Sequence, residues 1–212
     1  MTALGQPLRV WRAGVGTPAW NMAADELLLK QAAALGQPLL RFYAWSRAAA
    51  TFGYFQRHAE VSGMTSLRPL VRRPTAGGLV CHDENEWTYS LVFPPSHPWW
   101  RLKAGESYRC VHDWLRRAFD VCGVATELCP EARLVGEGQC FVGAEKCDLL
   151  FNGQKIAGAA QRRNRSGLLI QGSVKAKATG VERRAWEVAM LAGYDCSEWP
   201  LTESFIAEAD DL

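Results

Sequence analysis

The chain has 212 residues, 24 Lys plus Arg against 22 Asp plus Glu, and 48% hydrophobic content. That length suits one large domain, or one with a small appendage, and the apolar fraction is ample for a core. A net charge of +2 excludes a general electrostatic pull toward nucleic acid or a membrane surface, and no apolar stretch approaches the length of a membrane-spanning helix.

In chain order, Leu8 to Arg12 predicts a first strand, ended by glycines at 14 and 16. Thr17-Pro18 supplies an N-cap and a first-turn proline, opening a helix through Leu35 that Gly36 stops. Leu39 to Trp45 is apolar and aromatic, hence a strand. Thr51 to Gln56 reads as a loop or short helical start, and Leu70 to Arg73 as another strand. A strand pair is expected around Leu79 to Cys81 and Trp87 to Phe93, then an exposed loop at Pro94, Pro95 and Pro98. From Glu106 the period becomes helical, with Tyr108, Val111, Trp114, Leu115, Ala118 and Phe119 on one face, ending before Cys122-Gly123. Gly167 to Val174 predicts a strand and Gly180 to Leu191 a last helix. Strands and helices mixed with adjacent hairpins imply an α+β fold with a mainly antiparallel sheet flanked by helices. Neither a phosphate-binding P-loop nor a dinucleotide fingerprint occurs.

Chemistry concentrates between Gln139 and Ser173. Cys140-Phe141 precedes an apolar run from Cys147 to Phe151, an Asn152-Gly153 turn and a second segment from Gln154. Asn-Gly between such segments is a strong hairpin signal. Lys155 lies just past the turn, ahead of the small residues Ala157, Gly158, Ala159 and Ala160, which let a ligand approach the backbone. Cys140 and Lys155 on one hairpin form a candidate acyl-transfer pair. The seven cysteines (Cys81, Cys110, Cys122, Cys129, Cys140, Cys147 and Cys196) are odd in number and contain no CxxC pair, and the four histidines are scattered. No metal site or disulfide framework is suggested. With an N-terminus lacking the pattern of a secretion signal, a cytoplasmic, reduced enzyme is expected.

Three further segments line up: Asn21 to Glu26, Arg72 to Asp83 with its Pro-Thr-Ala-Gly-Gly loop, and Lys155 to Gln161. With Gly53, Gln56 and Gly172-Ser173, they resemble the lipoate-protein ligase and octanoyltransferase family over roughly Asn21 to Val174. The resemblance implies the catalytic-domain fold shared with biotin protein ligases, here as a single domain over residues 1–212 without a C-terminal accessory domain. It implies transfer of lipoate, or its octanoate precursor, to one lysine of a lipoyl domain or of the glycine cleavage H protein. Ligases of the family activate the acid with ATP and Mg; octanoyltransferases need no cofactor, taking the acyl group from acyl carrier protein onto their own cysteine.

The segment at Cys140 resembles the octanoyltransferases that act on the glycine cleavage H protein. Gly78 and the spacing from His82 to Ser90 look more like the ligases, and Ala76 stands where the family usually has a first glycine. A thiolate nucleophile exchanging thioesters needs no ATP; a nucleophile at the matching position, Cys140, outweighs one glycine, so the transferase is the leading expectation and the ligase the runner-up. A member that only binds acyl groups or lipoyl domains, or a biotin ligase, stands behind these. The expected catalytic groups are Cys140 and Lys155, the lysine stabilising the oxyanion. Expected substrate-binding residues are Arg72, Arg73, Gly77, Gly78, His82, Ala157 and Gly158. The bland alternatives are a tight turn at Gly77-Gly78, a packed His82, and Cys140 as a small apolar core residue. Cys147 is expected in the core.

Overall fold

The structure is a computed structural model describing residues 6–133 and 143–212. In chain order it runs β1 (Leu8–Gly16), α1 (Pro18–Leu35), β2 (Leu39–Trp45), β3 (Ala49–Phe52), α2 (His58–Val61), β4 (Leu70–Arg72), β5 (Val80–His82) and β6 (Trp87–Phe93). Next come α3 (Pro98–Arg101), α4 (Ala104–Val121), β7 (Glu127–Leu128), β8 (Leu149–Phe151), β9 (Gln154–Asn164) and β10 (Gly167–Val174). The chain closes with α5 (Arg183–Leu191), β11 (Cys196–Glu198) and α6 (Glu203–Asp210). Local chemistry set α1: the Thr17 hydroxyl accepts the Trp20 N–H at 3.2 Å, and Gly36, at φ 68°, takes the left-handed conformation that ends the helix.

An eight-stranded sheet has the order β11-β1-β2-β6-β10-β9-β8-β7, and a three-stranded sheet the order β4-β3-β5. From β2 to β7 every neighbouring pair in the large sheet is antiparallel; β1 is parallel to β2 and β11. The α+β expectation with a mainly antiparallel sheet therefore holds. Both faces of the sheet are covered. On β10, Leu168, Ile170 and Val174 pack with Val111, Trp114 and Leu115 of α4 and Trp186 of α5. Leu169 points the other way, against Leu28 and Leu29 of α1 and Phe205 of α6. Side chains alternate along a strand, so Gln171 and Ser173 share the Leu169 face. No helix among the described residues is long and apolar enough to cross a membrane.

Some sequence expectations need correction. Of the segment Thr51 to Gln56, Thr51 and Phe52 end a strand and Gly53 to Gln56 form the loop; no helix opens there. β5 and β6 are not a pair: β5 joins β3 in the small sheet, while β6 lies between β2 and β10 in the large one. The intervening turn carries Glu86, which is buried. The proline cluster is an exposed loop only in part: Pro94 is buried and Pro95 half-buried in a turn, while the exposed Pro98 starts α3, with His97 accepting the Trp99 N–H. α5 starts at Arg183, since Gly180 caps a preceding 3-10 turn. The exposed three-residue β11 is too short to show a period.

Candidate active site

The Asn152-Gly153 turn has positive φ at both residues, 50° and 75°, the geometry that matches the twist of a tight hairpin. Beyond it the ladder contains a bulge. Leu150 pairs with Lys155, but Leu149 pairs with Ala157, so Ile156 and Ala157 both enter the core on the α4 side. In an unbroken strand Lys155 and Gly158, three apart, would face opposite sides; the extra residue puts them on the same side. The lysine then lies back over Gly158. A Cβ there would come 2.8 Å from Lys155 Cε and 3.0 Å from Nζ.

Asp148 holds that ammonium. Its Oδ2 lies 2.7 Å from Lys155 Nζ and accepts the Glu145 N–H at 2.7 Å, while the Tyr108 hydroxyl of α4 donates to Oδ1. The aspartate is fully buried and the lysine side chain is 9% exposed. β8 stops opposite Ala157, and just beyond it the Tyr108 oxygen accepts the Ala159 N–H at 3.3 Å, capping the edge of β9. Burial, and then the negative charge of Asp148, push the Tyr108 phenol well above its ordinary pKa, so the phenol keeps its proton and remains a donor. One turn along α4, His112 donates from Nδ1 to the Tyr108 carbonyl at 3.0 Å. Burial lowers its pKa to about 4, and its Nε2 has no hydrogen-bond partner among the described residues.

Gly158 lies across from Ser173 of β10, whose hydroxyl donates to Glu86. Glu86 Oε2 faces His82 Nδ1 at 2.6 Å, and His82 Nε2 meets the Thr51 hydroxyl at 2.8 Å. The imidazole stacks on Trp45 with ring centres 3.9 Å apart. This buried chain runs from the strand beside Lys155 to the small sheet that carries the glycine loop.

That loop is braced from beneath. Arg73, 4% exposed, donates to the Ala76 carbonyl at 2.6 and 3.2 Å and to the Thr51 carbonyl at 3.3 Å. Thr75 donates to Gln171 at 2.6 Å, and Gln171 donates to Asp25 at 2.7 Å. Asp25 pairs with Arg41 at 2.7 Å and accepts from Ser90 at 2.5 Å and Tyr43 at 3.2 Å. Gly77, at φ 93°, turns its carbonyl onto Gly53, where a Cβ would approach to 1.9 Å. Arg162 of β9 donates to the Pro74 carbonyl at 3.3 Å. The loop therefore stands over the same face of β9 and β10 as Lys155.

The structure thus gathers Lys155, Gly158, His82, Arg73, Gly77 and Gly78 around one face. Two expected residues lie elsewhere. Ala157 turns into the core because of the bulge. Arg72 is exposed, its guanidinium binding the Tyr54 and Gln56 carbonyls at 2.7 Å each. It also lines a cavity of about 330 Å³ between α1, β4 and the end of α6, away from Lys155. Cys140 falls outside the described residues. Cys147 is not a core residue: it is half-buried in a turn at φ 70°, its N–H bonded to the Cys129 carbonyl. Among the described residues no group of three or more His, Cys, Asp and Glu is placed to hold a metal ion. Sequence reasoning gave no site role to Tyr108, Glu86, Thr51 or Asp25, and none to Asp148 as the lysine's partner. The available signal was charge where apolar residues were due: Arg41 inside an aromatic strand, and Asp148 at the head of an apolar run.

The description "Lipoyl protein ligase A/B catalytic domain" matches residues 17–180. Octanoyltransferase LipM of Staphylococcus aureus is 35% identical over 175 residues, covering 76% of this chain and 63% of the relative. That of Geobacillus kaustophilus is 33% identical over 181 residues, covering 78% and 65%. The chain thus spans 63 to 65% of the length of these curated relatives. Among solved structures, lipoate-protein ligase A bound with ATP superposes with a TM-score of 0.76 at 18% identity, over 97% of this chain and 94% of that one. A bi-partite lipoate protein ligase from Thermoplasma acidophilum gives 0.71 at 18% identity, over 97% and 91%. At such identities the likeness establishes the fold.

Proposed function

This chain belongs to the lipoyl protein ligase A/B catalytic-domain family, and we propose that it acts there as an octanoyltransferase, through this one domain, in the cytoplasm. The donor is octanoyl-acyl carrier protein, and the acceptor is a lysine of a lipoyl domain or of the glycine cleavage H protein. The observation that carries the reading is the Lys155 ammonium held over Gly158 by Asp148 and Tyr108. A fixed cation beside a strand of small residues, facing a glycine loop, suits an acyl carbonyl whose oxygen gains charge during attack. The octanoyltransferase names of the matched relatives support the choice of acyl group.

The mechanism has two half-reactions. The Cys140 thiolate attacks the donor thioester carbon, the carbon–sulfur bond to the carrier breaks, and the carrier leaves as a thiolate that takes up a proton. The acceptor's neutral lysine amine then attacks acyl-Cys140, expelling the Cys140 thiolate and losing a proton as the amide forms. Lys155 and the amides around Gly77 and Gly78 stabilise the oxyanion in both steps. Exchange between thioesters is nearly balanced, so the first step needs no ATP; the amide makes the second downhill.

Mixing the protein with octanoyl-carrier protein should raise its intact mass by one octanoyl group, and Cys140→Ala should abolish the gain. A gain that survives this substitution, or that needs ATP, moves the assignment to a lipoate ligase with ATP and Mg as co-reactants. That second reading is favoured by Gly78 and by the ligase-like spacing from His82 to Ser90.

A further inference from the structure

The most exposed large apolar side chain in the described residues is Phe55, at 83%. It stands on a turn that is tightly fixed. Arg72 clamps the carbonyls on either side of it, Gln56 folds back so that its side chain accepts the Gly53 N–H at 2.9 Å, and Tyr54 donates its N–H to the Thr75 carbonyl at 2.9 Å. Tyr54 packs edge-on against Phe55, ring centres 5.3 Å apart, and carries the Arg162 guanidinium 4.4 Å above its ring. A rigid, solvent-facing aromatic loses little conformational freedom on association, which makes it a good anchor for a partner.

The rim is basic. Arg72 and Arg162 lie against the two aromatics and Arg57 follows them in the chain; the exposed Glu60 is 3.8 Å from Arg57, and Glu26 and Asp210 line the cavity that Arg72 also borders. Arginines around an aromatic tip complement a protein surface with carboxylates beside an apolar contact. The tip is bonded directly to the glycine loop through the Tyr54 N–H, and Gly53 packs against the Gly77 carbonyl.

We infer that this tip, Tyr54 and Phe55 with Arg57, Arg72 and Arg162, is the docking surface for the acidic carrier protein that delivers the acyl group. The inference rests on the transferase reading and adds where its donor binds. The donor is favoured over the acceptor because only the donor must bring a free carbonyl into register with the loop. Once the acyl-enzyme has formed, that oxygen is already in place, and the acceptor contributes an amine alone.

The test compares two donors, octanoyl-carrier protein and the octanoyl thioester of pantetheine, on the parent chain and on Phe55→Ser and Arg57→Glu. The KM for the carrier-borne donor should rise at least about tenfold, the loss expected for one anchor of an interface. The kcat, acylation by the small thioester and the KM for the acceptor should be unchanged. An unmoved carrier KM overturns the inference. So does a rise in the acceptor's KM, or an equal loss with the small thioester, which would make the tip a brace for the loop. Titration of the parent and variants with carrier protein answers the same question without turnover: affinity should fall at least about tenfold in each variant and weaken with added salt. Salt-sensitive binding by an inactive parent, lost in the variants, would leave the docking surface standing and the transferase reading refuted.

Discussion

Substituting Gly158→Ala tests whether the placement of Lys155 matters. The new methyl would sit 2.8 Å from Lys155 Cε, 3.0 Å from Nζ and 3.1 Å from Asp148 Oδ1. Carbon–carbon contact needs about 3.5–4.0 Å, so the lysine must retreat by about 0.7–1.2 Å. A long side chain can make that move without disturbing the backbone, and alanine is better than glycine in a strand interior by up to about 1 kcal/mol. The fold should survive, with a melting temperature equal to or slightly below the parent's, since the alanine preference offsets only part of the strain on the buried Lys155–Asp148 pair. Catalysis should not: a misplacement of about 1 Å costs on the order of 100-fold in rate. The assay is single-turnover octanoyl transfer beside thermal unfolding of the same preparation. Parent-like turnover refutes the role given to the lysine. A loss confined to KM would mean that the methyl merely obstructs the acyl chain.

Asp148→Asn should remove the buried carboxylate charge 2.7 Å from the Lys155 ammonium, at a cost of up to about 3–5 kcal/mol, read by urea unfolding; a change under about 1 kcal/mol would show that the pair adds little to stability. Gly172→Ala should be worse tolerated than Gly158→Ala, since its Cβ would lie 2.1 to 2.3 Å from the buried Tyr89 ring. A loss of at least about 3 kcal/mol, or insoluble protein, is expected at the upper end of overpacking costs; a parent-like melting temperature argues against that packing. Burial holds His112 near pH 4 against 6.5 for an ordinary histidine, so the unfolded chain binds its proton first as pH falls. Stability from this group is complete above about pH 6.5 and is lost on descending toward pH 4, by about 2 kcal/mol between pH 7 and pH 5. His112→Asn should remove that part of the slope in urea titrations at the two pH values; an unchanged slope places its origin elsewhere.

Much of the scaffold was legible because its signals are local. The Thr17 cap, the Gly36 stop, the Asn152-Gly153 turn and the apolar strands at Leu39–Trp45, Trp87–Phe93 and Gly167–Val174 each depend on neighbours within a few residues. Lys155 could be singled out for the same reason. Its environment could not. Tyr108 sat in an amphipathic stripe and read as packing, yet its hydroxyl reaches Asp148, 40 residues on. Asp25 and Gln171 are 146 residues apart, and nothing in either segment names the other as partner.

The sequence by itself determined the family, the main elements and the residue types from which an acyl-transfer site can be assembled, since each is written in a period or a short motif. Tertiary structure decided which of them meet. One additional residue in the β9 ladder sent Ala157 into the core and brought Lys155 over Gly158. The parting of β5 from β6 into separate sheets set the glycine loop above that face. A bulge and a strand order are properties of pairing between distant segments, and side-chain alternation along one segment carries no information about either.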